Sequence, residues 1–300
     1  MNPIKTAIVG YGNIGKACLE AIEAAPDMTL TGAVLRDAAT AKAKGVPGHV
    51  TVAQDIKALG PVDAALLCAP SRAIPDLAAS LLAQGIHTVD SYDIHSDIYD
   101  LQQRLSPIAK AHNSVAIISA GWDPGTNSMI RGILEAAAPK GLTYTNFGPG
   151  MSMGHTVAVK AIPGVQDALS VTIPLGTGIH RRMVYVKPLP GYDFSQIKAA
   201  ILQDSYFVND ETHVIQTDDI AALQDKGHGV NLVRKGVSGA TDNQLFEFNM
   251  RINGPAVTAQ VMISAARAAA RQPAGCYTML EIPIIDLLPH NREDIIRRLV

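Results

Sequence analysis

The sequence predicts an α/β fold in which a doubly wound parallel sheet is followed by a second, mixed α/β domain. In the first third of the 300 residues, short apolar runs alternate with helix-like segments, as crossover helices between parallel strands require. A glycine-rich turn at residues 10–15 joins the first apolar run to the first helix-like segment. Beyond residue 121 the chain changes to longer strand-like stretches. These observations together predict a Rossmann-type domain followed by a domain of different architecture.

The composition is typical of a compact cytoplasmic enzyme. The chain is 47% hydrophobic and 17% charged, with a formal net charge of −2, so it offers no overall basic surface for nucleic acid or for an anionic membrane. No apolar run reaches the roughly 18 residues that a membrane span needs, and the first strand begins too early for a signal peptide. Cys18, Cys68 and Cys276 are scattered, which predicts reduced core thiols rather than disulfides or a metal site.

The glycine turn is the most informative motif of the chain. Its sequence, Gly-Tyr-Gly-Asn-Ile-Gly, follows the apolar run 7–9 and precedes the helix-compatible run 16–22. In this context the G-x-G-x-x-G spacing allows a tight turn, the close approach of a pyrophosphate and close packing of the helix on the strand. An ordinary strand-to-helix turn is the alternative. The expected cofactor contacts in this turn are Gly10, Tyr11, Gly12, Asn13 and Ile14.

Arg36 occupies the position that distinguishes the two nicotinamide cofactors. It follows the next predicted strand, residues 30–35, about 20 residues after the glycine turn. An acidic residue there would bind the ribose 2′-OH of NAD, whereas an arginine offers a fork of donors suited to a 2′-phosphate. Asp37 follows at once and could turn inward instead, and Arg36 could be a solvated loop charge. The sequence therefore favours NADP as the cofactor.

The remaining elements of the first domain follow from the same alternation. Residues 63–69 form a continuous apolar run, which is typical of a buried central strand. Ligands of open α/β sheets bind at the carboxyl ends of the strands, so the loops after this strand and the next should contact the cofactor. The other expected elements are a short strand near 49–52, a helix over 73–84, a strand over 88–90, a helix over 96–112 and a strand over 115–119. The expected cofactor contacts in the two loops are Cys68, Ala69, Pro70, Ser71, Asp90, Ser91 and Tyr92.

The second half of the chain predicts a mixed α/β domain followed by a returning helix. Strand-like stretches cover residues 169–175, 182–186 and 244–252, and an alanine-rich helix is expected over 255–270. Long strands can pair or pack across a two-fold axis, which predicts a homodimer or a higher even homo-oligomer. The expected domains are a dinucleotide-binding domain over 1–121, a substrate-binding and dimerisation domain over 122–254, and a segment over 255–300 that packs back on the first domain.

Two acidic clusters lie where strands of the first sheet should end. They are residues 90–93, Asp-Ser-Tyr-Asp, and residues 121–125, Gly-Trp-Asp-Pro-Gly. Two carboxylates at such positions, Asp93 and Asp123, could hold an ammonium group, and one of them could take a proton as an amine becomes an imine. Both aspartates could instead be turn or cap residues, a common role for Asp.

Polar residues of the second half form two further groups. The glycine-rich stretch 148–155 leaves N–H groups free to bind an anion such as a carboxylate. Residues 180–182, His-Arg-Arg, lie on a predicted strand, where alternation places Arg181 and Arg182 on opposite faces. Only one of these arginines can therefore point to a given site, and either could be a solvated surface residue.

The order of these motifs resembles the meso-diaminopimelate D-dehydrogenase family, in its shorter subgroup. The resemblance rests on the glycine turn, the two acidic clusters, residues 148–156 and the sequence Lys-Ala-Ile-Pro-Gly-Val at 160–165, and it extends to the region of Asn253. It implies NADP-dependent, reversible oxidative deamination of meso-2,6-diaminopimelate at its D-centre. The products would be L-2-amino-6-oxopimelate, which cyclises to tetrahydrodipicolinate, ammonia and NADPH, in the lysine biosynthesis of a bacterium.

The resemblance also implies roles for individual residues. Asp93 and Asp123 would bind the amine of the D-centre. The other implied substrate contacts are Trp122 at the pocket wall, Ser152, Met153 and Gly154 at the D-carboxylate, and Thr172, Arg182, His228 and Asn253 at the distal L-amino acid end. Arg181 remains an alternative to Arg182 as the partner of the distal carboxylate.

Other functions are compatible with parts of this pattern. The glycine turn alone would also suit another Rossmann oxidoreductase, such as a dihydrodipicolinate reductase or a broad D-amino acid dehydrogenase. A non-catalytic NADP(H) sensor would bind the cofactor without turnover. Neither an alcohol-oxidising enzyme nor a sensor explains the two acidic clusters together with the arginine of the second half.

Overall fold

The computed structural model describes residues 3–223 and 227–300, and the chain divides into two compact units. Unit 1 comprises residues 1–130 and 255–300, and unit 2 comprises residues 131–254. The sequence placed the first boundary at residue 121. In the structure, the loop after residue 118 is bonded to Asp90, whose backbone oxygen accepts the N–H of Ala120 at 2.6 Å, and this loop lies in unit 1.

The chain forms fourteen strands and nine α-helices within the described residues. The strands are β1 Ile4–Val9, β2 Met28–Val34, β3 Val52–Ala53, β4 Ala64–Leu67, β5 His87–Asp90, β6 Val115–Ile118, β7 Lys140–Phe147, β8 Gly150–Met151, β9 Val165–Gly176, β10 Ile179–Pro188, β11 Glu211–Gln216, β12 Gly227–Ser238, β13 Thr241–Asn253 and β14 Gly275–Thr278. The helices are α1 Asn13–Ala24, α2 Ile74–Leu82, α3 Ile98–Ala111, α4 Thr126–Ala137, α5 Met153–Lys160, α6 Phe194–Gln203, α7 Gly254–Ala269, α8 Ile284–Leu287 and α9 Arg292–Leu299. Within the same residues no helix is long and apolar enough to cross a membrane.

Unit 1 contains a seven-stranded parallel sheet in the order β14-β6-β5-β4-β1-β2-β3. The strands are apolar on both faces because helices cover both. Ile8 packs on one side with residues of α1 and α7, whereas Ala7 and Val9 pack on the other with residues of α2 and α3. The predicted doubly wound Rossmann-type sheet is therefore confirmed.

Two details of this sheet differ from the expectation. The strand expected near residues 49–52 is reduced to β3, because the N–H of Val50 donates to the carbonyl of Pro47 in a turn and only Thr51 onward reaches β2. The seventh strand, β14, was not predicted, because four residues between loops give too short an apolar pattern.

Unit 2 contains two smaller sheets. One has the order β11-β10-β9-β8 and the other β13-β12-β7. All pairs are antiparallel except β10 with β11, which is parallel. Helices α5 and α6 pack Val159, Ile197 and Ile201 against the four-stranded sheet. The mixed architecture predicted for the second half is confirmed, and the predicted strands 169–175, 182–186 and 244–252 lie within β9, β10 and β13.

Candidate active site

The three glycines of the turn after β1 have separate structural reasons. A Cβ on Gly10, whose φ is +97°, would lie 2.4 Å from the carbonyl oxygen of Cys68. A Cβ on Gly15 would lie 2.4 Å from the carbonyl oxygen of Gly10. A Cβ on Gly12, in contrast, would have no described atom within 4 Å. Gly10 and Gly15 are therefore required for packing, whereas Gly12 leaves open space at the start of α1.

The start of α1 fits a phosphate group. Gly12 is the N-cap residue and provides no side chain to bond the first N–H groups, and the first turn contains no acidic residue. Asn13 and Ile14 begin the helix, and Tyr11 is buried beside it. Unbonded N–H groups and the positive end of the helix dipole favour an anion at this position. A pyrophosphate can occupy the space that a side chain at Gly12 would fill.

Arg36 is exposed, two residues after the end of β2. Asp37, the residue that could have turned inward, instead caps the short 3-10 helix Ala38–Thr40, where its Oδ1 accepts the N–H of Ala39 at 3.0 Å. This bond leaves the Arg36 guanidinium as the group able to reach a 2′-phosphate.

Hydrogen bonds join the loop after β4 to the loop after β5. Ser71 donates its hydroxyl to Oδ1 of Asp93 at 2.6 Å, and the N–H of Asp93 lies 3.3 Å from the same hydroxyl oxygen. The segment 68–71, expected to contact the cofactor, therefore lies beside the candidate catalytic Asp93. Both loops stand at the carboxyl edge of the sheet, where the glycine turn also lies.

The buried side chain of Asp90 is hydrogen-bonded to the loops that follow β5 and β6. Its Oδ1 accepts the N–H groups of Tyr92 and Ser119, each at 3.0 Å, and its Oδ2 has no partner among the described residues. Burial raises the pKa of Asp90 to about 6. Its side chain is fully buried, so a cofactor could meet Asp90 only through its main chain. Tyr92 is also buried, and Ser91 is half-buried.

Asp123 lies in a tight turn after β6. Main-chain bridges join Gly121 and Trp122 to Gly125, and a Cβ on Gly125 would lie 1.9 Å from the carbonyl oxygen of Gly121, so this position requires glycine. The side chain of Asp123 is 8% exposed, and its Oδ1 accepts the amide N–H of Asn127 at 2.6 Å. Trp122 is half-buried.

Two neighbours of Asp123 were not predicted from the sequence. Asn127 lies four residues later on α4, a spacing that could have suggested the contact. His95 places Nε2 3.8 Å from Oδ2 of Asp123, and it comes from the loop after β5. Only the neighbouring positions of β5 and β6 in the sheet bring His95 to this carboxylate, so the sequence carried no signal for it.

In unit 2, Ser152 begins helix α5 without capping it. Its Oγ lies 2.8 Å from Nδ1 of His155, whose ring packs edge-on against Tyr206 and Phe207. Met153 and Gly154 form the first turn of the helix, so their N–H groups stand at its positive end. This end of α5 can receive a carboxylate.

Arg181 and Arg182 differ in their surroundings as strand alternation predicts. The side chain of Arg181 is 39% exposed, and it pairs with Glu211 through Nε and NH2. Arg182 is 11% exposed, donates Nε–H to Oδ2 of Asp210 at 2.7 Å, and donates an NH1 hydrogen to the hydroxyl of Thr172. Beside Arg182 on the same strand, burial and the nearby guanidinium lower the pKa of His180.

The turn 148–150 brings the distal-end candidates of unit 2 together. A Cβ on Gly148 would lie 2.3 Å from the carbonyl oxygen of Thr172, and a Cβ on Gly150 would lie 2.0 Å from that of Gly227 and 3.2 Å from Cα of His228. Asn253 pairs with Gly227 at the end of β13. Thr172, Arg182, His228 and Asn253 therefore cluster around one turn, beside the start of α5.

Family models match both parts of the chain. The model described as "Oxidoreductase family, NAD-binding Rossmann fold" matches residues 4–117, and "Diaminopimelic acid dehydrogenase C-terminal domain" matches residues 121–179. The second match includes Asp123, Ser152 and Thr172.

Similar proteins cover the whole chain. A meso-diaminopimelate D-dehydrogenase of Bacteroides fragilis is 60% identical over 100% of both chains, and one of Corynebacterium glutamicum is 33% identical over 99% of both. Two solved structures superpose with a TM-score of 0.89 over 100% of both chains. They are the C. glutamicum diaminopimelate dehydrogenase in complex with diaminopimelate, 32% identical, and an engineered D-amino acid dehydrogenase bound to NADP+, 31% identical. A dihydrodipicolinate reductase from Paenisporosarcina, 11% identical with a TM-score of 0.52 over 93% of this chain and 98% of its own, shares the fold alone.

Proposed function

Because this chain belongs to the meso-diaminopimelate D-dehydrogenase family, we propose that it oxidises meso-2,6-diaminopimelate at the D-centre, reversibly and with NADP⁺. Water replaces the amine, giving L-2-amino-6-oxopimelate, ammonia and NADPH. The observation that carries the proposal is the pair of carboxylates, Asp93 and Asp123, at the ends of neighbouring strands on the edge that holds the glycine turn. Such a pair suits an amine that becomes a cationic iminium, and it has no evident use in oxidising an alcohol.

NADP is the cofactor of this enzyme. The space over Gly12 and the start of α1 would hold its pyrophosphate, and Arg36 would bind its 2′-phosphate. When bound, NADP⁺ would supply the acceptor for the hydride that leaves the D-centre carbon. The chain's own residues bind the substrate, orient it and stabilise charge.

Unit 1 contributes the residues that act at the reacting amine. Asp93 and Asp123 bind the D-centre amine and stabilise positive charge as it develops. Ser71 and Asn127 hold these carboxylates in place. Trp122 shapes the pocket wall.

Unit 2 contributes the residues that orient the two ends of the substrate. Ser152, Met153 and Gly154 bind the D-carboxylate at the start of α5. Thr172, Arg182, His228 and Asn253 bind the distal L-amino acid end. The two ends differ only in configuration, so a distal subsite that accepts the L-centre directs the D-centre hydrogen to the cofactor. Arg182 rather than Arg181 fits this role, because Arg181 is more exposed than Arg182 and is paired with Glu211.

The protein acts as a homodimer or a higher even homo-oligomer. Support comes from one side of the three-stranded sheet, which we term the open face. Its residues are exposed or half-buried and form the cross-strand rows Leu142–Lys235–Leu245, Tyr144–Val233–Glu247 and Asn146–Asn231–Asn249. The asparagines bond across the strands at 3.2 and 2.8 Å, and a second copy could pack on this face across a two-fold axis.

The enzyme works in the cytoplasm, in diaminopimelate and lysine biosynthesis. The family reaction produces or consumes diaminopimelate. The three cysteines of this chain, all within the described residues, are free thiols, as is usual in a reducing compartment.

The test is NADP⁺ reduction, followed by NADPH absorbance, with the meso, L,L and D,D isomers of diaminopimelate. We expect turnover of the meso isomer, little with the L,L isomer, and a preference for NADP⁺ over NAD⁺. NADPH binding without turnover of any isomer would contradict the proposal and favour a sensor. Faster turnover of D-amino acids without a distal carboxylate would favour a broad D-amino acid dehydrogenase.

A further inference from the structure

Arg182 is held by two groups that leave one edge of its guanidinium available. A guanidinium has five N–H donors. Asp210 accepts from Nε, and the hydroxyl of Thr172 accepts from NH1. These bonds use two donors, and three remain on NH1 and NH2. That pair of nitrogens forms the outer edge of the fork, which matches the two oxygens of a carboxylate.

Sheet register explains why these three residues meet. Arg182 pairs with Thr172 on β9 and with Thr212 on β11, and Asp210 immediately precedes β11. The same register places Thr172 opposite Gly150 on β8, at the turn that precedes Ser152. Asp210 therefore approaches Arg182 from one side, and the turn 148–150 lies on the other side of Thr172.

The ion pair between Asp210 and Arg182 is largely shielded from water. The side chain of Arg182 is 11% exposed and that of Asp210 is 24% exposed. A cation removed from water needs a charged or polar partner, and its direction is set by that partner. His180, two residues away on the strand, accepts the N–H of Phe147 at Nε2 and so does not bind the guanidinium with that nitrogen.

We propose that Asp210 is a positioning residue that holds Arg182 by its Nε side, so that the NH1/NH2 edge receives the distal carboxylate of a dicarboxylic amino acid. Asp210 thereby determines specificity for substrates with a second carboxylate. This inference rests on the proposed function. Asp210 itself does not contact the substrate.

The neighbouring pair provides a matched control. Glu211 follows Asp210 directly and pairs with Arg181, but the side chain of Arg181 is 39% exposed, against 11% for Arg182. Asp210→Ala removes the partner of Arg182, and Asp210→Asn keeps an oxygen acceptor for its Nε without the charge. Glu211→Ala removes the partner of Arg181.

Steady-state kinetics with meso-diaminopimelate test the role. Loss of a charge-assisted bond that orients Arg182 should raise KM about tenfold in Asp210→Ala, with kcat within about threefold of the wild type. Asp210→Asn should restore KM to near the wild-type value, and Glu211→Ala should leave it unchanged. An unchanged KM in Asp210→Ala, or a fall in kcat and thermal unfolding midpoint with no change in KM, would overturn the proposal.

A binding measurement separates this inference from the proposed function. L-2-Aminoheptanedioate carries the L-amino acid end and a second carboxylate but lacks the reacting D-centre amine, whereas heptanoate has a single carboxylate and no amino group. In calorimetric titrations of the NADP⁺-bound enzyme, Asp210→Ala should weaken binding of the aminodicarboxylate about tenfold and leave binding of heptanoate unchanged. This result stands even if the wild type fails to oxidise diaminopimelate. Equal affinity of the wild type and Asp210→Ala for L-2-aminoheptanedioate, or no binding of it by the wild type, would overturn the inference.

Discussion

At the scale of single residues, neighbours decide which of two similar side chains can act. Arg181 and Arg182 are identical in type and adjacent in sequence, yet alternation on β10 leaves the first half-buried and buries the second. Asp90 and Asp93 differ in the same way, because Asp90 bonds main-chain N–H groups inside unit 1 while Asp93 bonds Ser71 at the strand ends. Side-chain chemistry is readable from the sequence, and the partner of each side chain comes from the fold.

Replacing Arg36 should change cofactor preference. Arg36→Glu removes the fork that we propose binds the 2′-phosphate and adds a like charge, so the Kd for NADP⁺ should rise about tenfold or more while that for NAD⁺ changes little. Fluorescence titration with both cofactors measures the effect. Asp37→Asn, at the neighbouring cap, serves as the control. Equal losses for both cofactors would count against the role of Arg36.

The buried carboxylate of Asp90 should make stability depend on pH. Burial raises its pKa from 3.8 to about 6, so the charged form is disfavoured in the folded state. The stability that this group contributes is present below about pH 4 and is lost as pH rises through about 6, which amounts to roughly 3 kcal/mol.

Asp90→Asn removes this titration and tests it. Compared with the variant, the wild type should have a thermal unfolding midpoint that falls between pH 4.5 and pH 7.5, on the order of a few degrees. Differential scanning fluorimetry of both proteins over this range measures the difference. A difference between the two midpoints that stays constant with pH would contradict the assignment.

At the scale of elements, substitutions in the glycine turn should affect either stability or cofactor binding, depending on which glycine is replaced. Gly12→Ala adds a methyl group where no described atom lies within 4 Å, at an ordinary φ of −97°, so the unfolding midpoint should stay near the wild-type value. The same methyl group occupies the space for a pyrophosphate, so NADP⁺ affinity should fall about tenfold or more.

Gly15→Ala is the matched comparison within the same turn. Its methyl group would meet the carbonyl oxygen of Gly10 at 2.4 Å, so the variant should lose on the order of 1–3 kcal/mol of stability. Thermal unfolding and NADP⁺ titration of both variants test whether Gly12→Ala affects cofactor affinity and Gly15→Ala affects stability. Normal NADP⁺ binding by Gly12→Ala would show that the pyrophosphate does not approach there.

Elements with strong local patterns could be predicted from the sequence, and contacts between distant elements could not. The run 63–69 marks β4 because a strand buried on both faces is apolar throughout. The parallel pairing of β10 with β11 has no local signature, so the contact of Asp210 with Arg182 could not be predicted. The contact of His95 with Asp123 depends on the strand order of the sheet in unit 1 and could not be predicted either. The glycine-rich stretch 148–155 was predicted from the sequence as a candidate anion site, but the close approach of Gly150 to Gly227 depends on strand register.

At the scale of the whole molecule, the open face of unit 2 is expected to hold two copies together. Leu245 is 60% exposed on this face. Leu245→Glu places a charge in a packed interface and should convert the protein to monomers in light scattering. Leu280, in unit 1, is also 60% exposed, and Leu280→Glu should leave the mass unchanged. A monomeric wild type, or a dimeric Leu245→Glu variant, would contradict this assembly.

The discontinuous path of unit 1 sets the order in which the protein matures during synthesis. Strand β14 pairs with β6, and Arg267 of α7 pairs with Asp27, so both partners of the early segment emerge from the ribosome only after all of unit 2 has been translated. Until then the edge of β6 has no neighbour and the apolar face that α7 covers is exposed to chaperones. Unit 2 is one continuous stretch and can fold while the chain is still growing. The nucleotide-binding sheet is thus begun first and completed last.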